Sequence, residues 1–290
     1  MKRLIIAGFG QPLLDLFEFL SVRFEIVGVI LDYERKNKHP WFHEALAKKS
    51  IKVFNFDAVD ALKPDAIVVF NYNRIIDVQY KTVPILNIHI GLLPVYRGNN
   101  ANAWSILNGD RSVGYTLHEV TDTLDGGAIY YKFAYEIKDH ETYFHAKNAM
   151  TEDLKNELPW VIEKVLNQEI QGVNQDHDDF IYCSKLYPED GILSHWDYNT
   201  ADIISRNMIF ARPLGTGLKM LYQSKVIEIS KLSVVPHYRI SKGFPGAVVM
   251  KNESGSVWIK TKDTAISIDE LCIDGQIVLP STLFKIGDRL

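Results

Sequence analysis

Short apolar runs and helical patterns alternate along the first part of the chain. The apolar runs predict strands over residues 3–8, 24–31, 51–54, 65–70 and 83–89. Apolar residues at helical spacing predict helices between them, over residues 13–20 and 41–49. Because strands and helices that alternate at short intervals build βαβ units, the pattern favours an α/β, Rossmann-like fold with a mostly parallel sheet.

The pattern changes in the second part of the chain. Residues 113–120 and 128–137 predict further strands, and residues 141–168 predict one long helix that Pro159 would kink. After residue 191, a predicted helix at 201–210 is followed by strand-like runs at 218–221, 226–232, 246–250, 256–260 and 265–271. Such spacing is typical of a small β-barrel, in this case an OB-like one. We therefore predict an α/β domain over residues 1–188 and a β-rich domain over residues 189–290.

Composition narrows the classes of function. Of the 290 residues, 47% are apolar, and 32 Lys and Arg against 36 Asp and Glu leave a net charge of -4. This charge argues against a nucleic-acid partner, since nucleic-acid binders carry a basic excess. Cys183 and Cys272 form no metal-binding motif, and residues 176–179 (Asp-His-Asp-Asp) are interpreted as a solvated linker, so we predict no metal. The sequence has no secretory signal pattern and no apolar run of the ~18 residues that a membrane span needs, so we expect a cytoplasmic protein without a membrane partner.

Gly8 and Gly10 follow the first strand and match the start of a dinucleotide-binding fingerprint. The fingerprint needs a third small residue where this chain has Leu13, so we interpret the glycines as a tight turn and predict no nicotinamide cofactor. Open α/β sheets bind ligands beyond the carboxyl ends of their strands. Gly8 and Gly10, residues 71–74 and residues 87–89 all fall at such ends, and we expect them to converge on one crevice.

Asn87, His89 and Asp125 are the candidate catalytic residues. Asn87 and His89 lie two apart on a predicted strand and therefore share a face, and Asp125 precedes two glycines that allow a tight turn. An imidazole can accept a proton from an attacking amine, an amide N–H can stabilise an oxyanion, and a carboxylate can orient the histidine. No Ser, Cys or Lys adjoins His89. The residues therefore favour direct transfer of an acyl group between two bound substrates, although a histidine at a strand end is often purely structural.

Several motifs in this region occur together in one enzyme family. They are Leu-Asn-Ile-His at 86–89, Leu-Leu-Pro-x-Tyr-Arg-Gly at 92–98, Asn-Gly at 108–109, Gly-x-Thr-Leu-His at 114–118 and Asp-x-Gly at 125–127. In this register they resemble the folate-dependent formyltransferases, which include the enzymes for methionyl-tRNA, glycinamide ribonucleotide and nucleotide-linked sugars. The resemblance covers most of residues 1–190, and the C-terminal part resembles the β-rich domain of the tRNA and aminoarabinose members. One departure is Gly91, where the family usually has serine.

The resemblance implies N10-formyltetrahydrofolate as the formyl donor and a catalytic domain over residues 1–188. It implies that His89 accepts the amine proton, Asn87 holds the formyl oxygen and Asp125 orients His89. It also implies a pterin crevice between two loops, which are represented by Tyr72, Arg74, Ile75 and Ile76 and by Asp122, Leu124, Gly126 and Gly127.

Three features resemble the sugar-nucleotide enzymes more than the tRNA enzymes. Residues 69–74 include an aromatic and an arginine, residues 99–104 end in Trp104, and the basic stretch at 34–38 is short. We therefore predict a nucleotide-linked amino sugar as acceptor, such as a dTDP- or UDP-4-amino-4,6-dideoxyhexose for O-antigen or other surface glycans. The predicted substrate contacts are Gly8, Gly10, Tyr96, Arg97, Asn99, Asn100, Asn102 and Trp104.

Alternatives stay open on the sequence. Trp104 is equally compatible with a core aromatic. Methionyl-tRNA formyltransferase is the main rival function, and formylation of a hydroxyornithine is another. A non-catalytic folate-binding module is the rival from a different class. Homodimers are common among the sugar enzymes, and we expect one for this chain.

Overall fold

The computed structural model describes residues 1–32, 40–77, 82–138, 141–176, 179–213, 215–235 and 243–290. The chain divides into two compact units. Unit 1 comprises residues 1–104, 112–137 and 145–184, and unit 2 comprises residues 105–111, 138–144 and 185–290. The domain assignment at residues 188 and 189 stays a prediction. The basic stretch at 34–38 and residues 177 and 178 of the acidic run lie outside the described residues.

Strands and helices alternate in the first half of the chain, and strands dominate the second half. The strands are β1 (Arg3–Gly8), β2 (Glu25–Leu31), β3 (Val53–Phe54), β4 (Ala66–Phe70), β5 (Ile85–His89), β6 (Tyr96–Gly98), β7 (Ser112–Glu119), β8 (Ile129–Glu136), β9 (Ile181–Cys183), β10 (Ile192–Leu193), β11 (Leu218–Tyr222), β12 (Lys225–Val234), β13 (Val248–Lys251), β14 (Val257–Lys260), β15 (Ala265–Ile273) and β16 (Gln276–Val278). The helices are α1 (Gly10–Ser21), α2 (Pro40–Lys48), α3 (Val59–Leu62), α4 (Ala101–Leu107), α5 (Tyr143–Asn156), α6 (Leu158–Leu166), α7 (Thr200–Phe210) and α8 (Pro280–Leu283).

Unit 1 is built on a seven-stranded sheet with the order β3-β2-β1-β4-β5-β7-β8. The strands from β3 to β5 run parallel, and β7 and β8 add antiparallel beyond β5. All five residues of β4, Ala-Ile-Val-Val-Phe, are buried, as expected for a strand covered on both faces. The predicted α/β fold with a mostly parallel sheet is confirmed.

The prediction of a single helix over residues 141–168 is wrong. Helix α5 ends at Asn156 and helix α6 begins at Leu158, with Pro159 in its first turn. Proline has no N–H to donate, and its ring clashes inside a helix, so it is accommodated where a helix begins.

Two short strands, β6 and β9, lie outside the predicted pattern. They pair in parallel and form a separate two-stranded sheet, in which Tyr96 is paired with Ile181 and Gly98 with Cys183. Each strand has only three residues, which is too few for an alternating pattern to stand out in the sequence.

Unit 2 contains a second sheet with the order β10-β11-β12-β15-β14-β13, and β16 pairs with β15. Its pairs are antiparallel except for β10 with β11. Trp196, Ile229, Ile266 and Phe284 belong to its buried core. The predicted β-rich C-terminal part is therefore present. Across the ranges that the structure describes, no helix has both the length and the apolarity needed to cross a lipid bilayer.

Candidate active site

Strand β5, an interior strand of the sheet, carries Asn87 and His89. Ile85, Leu86 and Ile88 are buried and anchor the strand between β4 and β7, while His89 is 6% exposed and Asn87 is partly buried. Because side chains alternate along a strand, the amide and the imidazole share one face, as predicted. A central strand packed in this way holds both polar groups in a defined position.

Asp125 reaches this pair from the loop between β7 and β8. Its carboxylate Oδ2 lies 3.4 Å from His89 Nδ1 and accepts a hydrogen bond from the Gly98 backbone N–H at 2.8 Å. Its Oδ1 lies 3.5 Å from Asn87 Nδ2. The backbone of Asp125 has a φ of 47°, a left-handed conformation that aspartate tolerates better than most residues. The structure therefore brings the three candidate catalytic residues together, and their roles stay predictions.

His118 is a fourth member of the site, which the sequence reasoning did not select. The antiparallel register of β5 and β7 pairs Asn87 with His118. The His118 Nε2 atom lies 3.0 Å from Asn87 Nδ2 and 3.5 Å from Asp125 Oδ1, and Nδ1 lies 2.8 Å from the Glu119 carbonyl oxygen. With Nδ1 donating to that carbonyl, a neutral His118 accepts from Asn87 and fixes its amide. The available signal was the Gly-x-Thr-Leu-His motif that ends at this residue.

The surroundings of His89 favour a neutral imidazole. Burial lowers its pKa from 6.5, and a charge on His118 acts in the same direction, whereas the carboxylate of Asp125 and the Tyr96 carbonyl oppose the change. The Nε2 atom lies 2.9 Å from the Tyr96 carbonyl oxygen, which requires a donor and so assigns the proton to Nε2. The lone pair of the neutral ring is then at Nδ1, on the side of Asp125.

Asp125 is the permanent negative charge of the site. Burial alone would raise its pKa. The polar contact with His118, the positive charge that either histidine can carry and the hydrogen bond from the Gly98 N–H outweigh burial and lower the pKa to about 2. An ionised carboxylate beside the His89 lone pair stabilises the imidazolium that forms when the ring takes up a proton. The arrangement can therefore remove a proton from a bound nucleophile at neutral pH.

Acid is expected to destabilise the fold through this site. The folded pKa of Asp125 is about 2 against an ordinary value of 3.8, so its ionised form stabilises the fold above pH 4, and this contribution is lost as pH falls from about 4 to 2. The folded pKa of His89 is below its ordinary value of 6.5, so the unfolded chain takes up this proton more readily than the folded protein does. The fold therefore also loses stability as pH falls below 6.5. Urea unfolding of wild type and Asp125→Asn at pH 7, 5 and 2.5 measures the effect. Between pH 5 and 2.5 we expect the free energy of unfolding to fall by about 2 kcal/mol less in Asp125→Asn than in wild type. An equal dependence of that free energy on pH in the two proteins would contradict the lowered pKa of Asp125.

The first loop predicted to hold the pterin packs in an apolar cluster that also includes a residue just before the second loop. Ile76, which is 8% exposed, packs in the cluster of Ile85, and Val120 just before the second loop packs against the same cluster. Beside these buried anchors, the side chains of Ile75 and Leu124 are 95% and 51% exposed. The contacts of these loops with a pterin stay predictions.

The other residues predicted for the pterin crevice differ in their burial and in their contacts. Tyr72 lies in an edge contact with Phe56, with 6.1 Å between the ring centroids, while Arg74 and Asp122 are exposed. Gly126 and Gly127 are buried, and a Cβ atom at Gly127 would clash with the Glu119 carbonyl oxygen. This glycine therefore allows the loop to fold back closely enough to deliver Asp125.

Several residues predicted to contact the substrate have partners within the protein. The amide of Asn102 is 2% exposed and exchanges two hydrogen bonds with the Gly114 backbone, at 2.7 and 3.0 Å. The Arg97 guanidinium is 1% exposed and binds Gln175. The side chain of Tyr96 is buried, and the residue reaches His89 only through its carbonyl oxygen. These side chains are buried and bind protein groups in this structure, and their contacts with a substrate stay predictions.

Trp104 and the two glycines of the first turn also have packing roles, and their contacts with a substrate stay predictions. The Trp104 indole N–H donates to the Ser184 carbonyl at 2.8 Å, and its ring packs on a buried cluster, which favours the alternative of a core aromatic. A Cβ atom at Gly8 would clash with the Phe70 carbonyl oxygen, so this glycine permits the close pairing of β1 and β4, and Gly10 has a φ of +73° in the turn. Both glycines are buried and offer no side chain to a substrate.

Asn99 and Asn100 remain exposed next to the site. They follow Gly98, whose N–H binds the Asp125 carboxylate, and both side chains are open to solvent. Of the predicted polar acceptor contacts, these two retain an accessible position.

The close packing around Gly91 explains why this chain lacks the serine that the family usually has at this position. A Cβ atom at this position would clash with the Ala101 methyl group and lie 2.7 Å from His89 Nε2. A serine would therefore require the loop or helix α4 to shift, so the glycine is matched to the close packing around His89.

Known proteins share both sequence and fold with this chain. Residues 31–162 match the formyl transferase family. The bifunctional polymyxin resistance protein ArnA of Wigglesworthia glossinidia brevipalpis is 26% identical over 247 residues, covering 78% of this chain and 37% of that protein. A methionyl-tRNA formyltransferase of Desulforamulus reducens is 26% identical over 249 residues, covering 84% of this chain and 77% of that protein. The chain thus spans about a third of the length of ArnA.

Solved structures share the fold over nearly the whole chain. An N-formyltransferase from Helicobacter canadensis, in complex with folinic acid and dTDP-3-aminofucose, has a TM-score of 0.71 at 16% identity, covering 92% of this chain and 98% of that chain. A HypX variant from Aquifex aeolicus has a TM-score of 0.61 at 21% identity, covering 98% of this chain and 47% of that chain. Methionyl-tRNA formyltransferase from Clostridium thermocellum has a TM-score of 0.56 at 15% identity, covering 82% and 95%. With this fold, the family match over residues 31–162 and the relatives in sequence, the chain carries a formyl transferase domain and is similar to the folate-dependent formyltransferases.

Proposed function

We propose that this protein transfers a formyl group from N10-formyltetrahydrofolate to the amine of a nucleotide-linked amino sugar. The observation that carries the transfer chemistry is the 3.4 Å approach of Asp125 Oδ2 to His89 Nδ1, with Asn87 on the same strand face. The acceptor would be a dTDP- or UDP-linked aminodeoxyhexose destined for a surface glycan. A cytoplasmic location and a homodimer belong to the same proposal.

In this reaction His89 is the base. Its Nε2–H is held by the Tyr96 carbonyl, so Nδ1 takes the proton that the amine loses as its nitrogen bonds to the formyl carbon. Asp125 stabilises the resulting imidazolium at 3.4 Å. The same proton is then available to the departing N10 as its bond to the formyl carbon breaks. The bound folate supplies an activated formyl carbon.

Asn87 is positioned to bind the formyl oxygen. One hydrogen of its Nδ2 is directed at His118 Nε2, 3.0 Å away, whereas the contact of Nδ2 with Asp125 Oδ1 is long, at 3.5 Å. The second hydrogen can therefore donate to an oxygen that becomes negative during attack. Removal of one such donor typically costs about 10²–10³-fold in kcat.

The choice of acceptor is supported by charge and by overall fold. A tRNA-binding surface requires a concentration of positive charge, and the chain has a net charge of -4. The likeness to the Helicobacter enzyme, which holds a dTDP-amino sugar, extends over nearly the full length of both chains, and its TM-score exceeds that of the Clostridium tRNA enzyme.

Methionyl-tRNA is the second candidate acceptor. Several relatives at 25–27% identity carry the name methionyl-tRNA formyltransferase, and some of them align over nearly their whole length. This observation favours the tRNA reaction on grounds of sequence, independently of charge.

A direct comparison of acceptors tests the proposal. The protein is incubated with radiolabelled N10-formyltetrahydrofolate and, separately, with dTDP- and UDP-amino sugars, methionyl initiator tRNA or N-hydroxyornithine. We expect label to transfer to an amino sugar nucleotide and not to the tRNA. His89→Ala protein controls for nonenzymatic formylation. Labelling of the tRNA at a higher kcat/KM than every sugar nucleotide would overturn the sugar proposal and leave formyl transfer intact.

A further inference from the structure

Segment 173–176 lies against the loop that carries Asp125. Val173 and Ile129 exchange two backbone hydrogen bonds, at 2.8 and 2.9 Å, so the segment begins as a short addition to the edge of β8. Two residues later Gln175 turns inward, and only 7% of it is exposed. A glutamine amide this deeply buried must find hydrogen-bond partners or cost stability.

Gln175 finds its partners on the catalytic loop. Its Nε2 donates to the Asp125 carbonyl at 2.8 Å and to the Gly127 carbonyl at 2.6 Å. Both amide hydrogens therefore bind backbone oxygens of the loop, one on Asp125 itself and one two residues later. Since Asp125 has a φ of 47°, an arrangement unfavourable for most side chains, these two bonds hold the loop in a conformation that it would adopt less readily by itself.

Arg97 holds Gln175 from the other side. The Gln175 Oε1 accepts from Arg97 Nη2 at 3.0 Å, and the same nitrogen donates to the Asp176 carbonyl at 3.2 Å. The guanidinium is 1% exposed and lies over the Phe180 ring, 4.5 Å from its centroid. A planar fork with several donors suits such a buried site better than a lysine would.

Strand β6 connects Arg97 to both His89 and Asp125. Arg97 is the middle residue of β6, and its two neighbours in the strand contact these two catalytic residues directly. The Tyr96 carbonyl accepts from His89 Nε2 at 2.9 Å, and the Gly98 N–H donates to Asp125 Oδ2 at 2.8 Å. A shift of β6 or of segment 173–176 would therefore change the relation of the carboxylate to the imidazole.

We propose that Arg97 and Gln175 are positioning residues that hold the Asp125 loop so that its carboxylate meets His89. The proposal rests on the catalytic roles in the proposed function and does not depend on which amine is the acceptor. It predicts that loss of the link lowers kcat more than it changes the KM for the formyl donor. A link that only stabilised the fold would change the melting temperature and leave kcat unaltered.

The first test replaces Gln175 by methionine, which has a similar length and no hydrogen-bonding amide. We expect kcat to fall by about 10–100-fold, because misplacement of a catalytic group by about 1 Å costs rate on that scale. The matched control is Gln171→Met, the same change four residues earlier on an exposed side chain that donates to the Gln168 carbonyl. We expect the control to retain full kcat. Arg97→Lys is the second variant, with a smaller expected fall because one ammonium can still donate to Gln175.

A second readout needs no acceptor. NMR titration of 13C-labelled histidines, with the His89 signal assigned from its loss in His89→Ala, gives the protonation midpoint of His89 in the free protein. The groups that face this ring are Asp125 from its loop, His118 from β7 and the Tyr96 carbonyl from β6. We expect the midpoint in Gln175→Met to move to lower pH, in the direction of Asp125→Asn, since the carboxylate supports the protonated ring.

The outcomes separate this inference from the proposed function. If none of the acceptors is formylated by the wild type, the NMR comparison still decides the inference. A lower melting temperature in Gln175→Met and Arg97→Lys, with unchanged kcat and an unchanged His89 midpoint, would overturn it. If Gln175→Met does not fold, Arg97→Met, which removes the donor to Gln175, decides instead, and a wild-type midpoint and kcat in that variant would also overturn the inference.

Discussion

Replacing His89 by alanine is expected to lower kcat for formyl transfer by about 10²–10⁴-fold, the range that a general base contributes. The His89 ring lies between a carboxylate and a backbone carbonyl, and its lowered pKa keeps Nδ1 available for a proton at neutral pH. The other imidazole of the site, His118, already accepts from the Asn87 amide through Nε2 at 3.0 Å, so His89 is the ring with a lone pair available. Single-turnover formylation with saturating donor and acceptor measures the chemical step.

The same variant separates an enzyme from a folate-binding module. We expect His89→Ala to bind the folate with nearly wild-type affinity, since the pterin loops do not include this residue. His195→Ala is the matched control, because His195 is exposed and stacks on Tyr198 in unit 2. Turnover in His89→Ala within threefold of wild type would remove His89 from the mechanism.

The change of Asp125 to asparagine is expected to lower kcat by about 10³-fold or more, as happens when a carboxylate that orients a catalytic imidazole is neutralised. The amide cannot stabilise the imidazolium, and if its NH₂ group took the place of Oδ2 it would face the Gly98 N–H that now donates at 2.8 Å. A neutral amide therefore replaces a carboxylate that contacts both the His89 ring and the Gly98 N–H. Asp179→Asn, at an exposed position, serves as the control.

The dependence of kcat/KM on pH tests whether Asp125 acts on His89. Activity depends on neutral His89, so kcat/KM falls as pH decreases through the pKa of His89 in the free enzyme. In wild type this acid limb should lie below pH 6.5, because burial lowers the pKa of His89. In Asp125→Asn the limb should move to still lower pH, because the carboxylate no longer raises that pKa. A limb that moves upward, or remains in place, would mean that Asp125 does not act on His89.

The sequence could predict Asn87, His89 and Asp125 but not their fourth neighbour. Asn87 and His89 share a face because of their spacing on a strand, and Asp125 was found through a motif. His118 becomes visible only when β5 and β7 pair antiparallel and place it opposite Asn87, 3.0 Å from its amide. Register between strands depends on turns and long-range packing, so spacing along the chain does not contain it.

The predicted acceptor contacts also show what sequence alone leaves open. Asn102 and Arg97 have the chemistry of ligand-binding residues, and a sequence motif places them beside the site. In this structure both side chains are enclosed and bind Gly114 and Gln175, and their contacts with an acceptor stay predictions. A polar residue type indicates hydrogen bonding, but whether the partner is a ligand or the protein itself depends on which groups the fold brings near.

By itself the sequence determined the alternation of strands and helices, the β-rich C-terminal part and the face that Asn87 and His89 share, because these follow from local periodicity. The tertiary structure alone decided that Asp125 meets the distant His89 ring at 3.4 Å, and that Gln175 and Arg97 hold the loop in place. These contacts join residues far apart in the chain. Their geometry arises from the packing of the sheet and its loops, which no local pattern encodes.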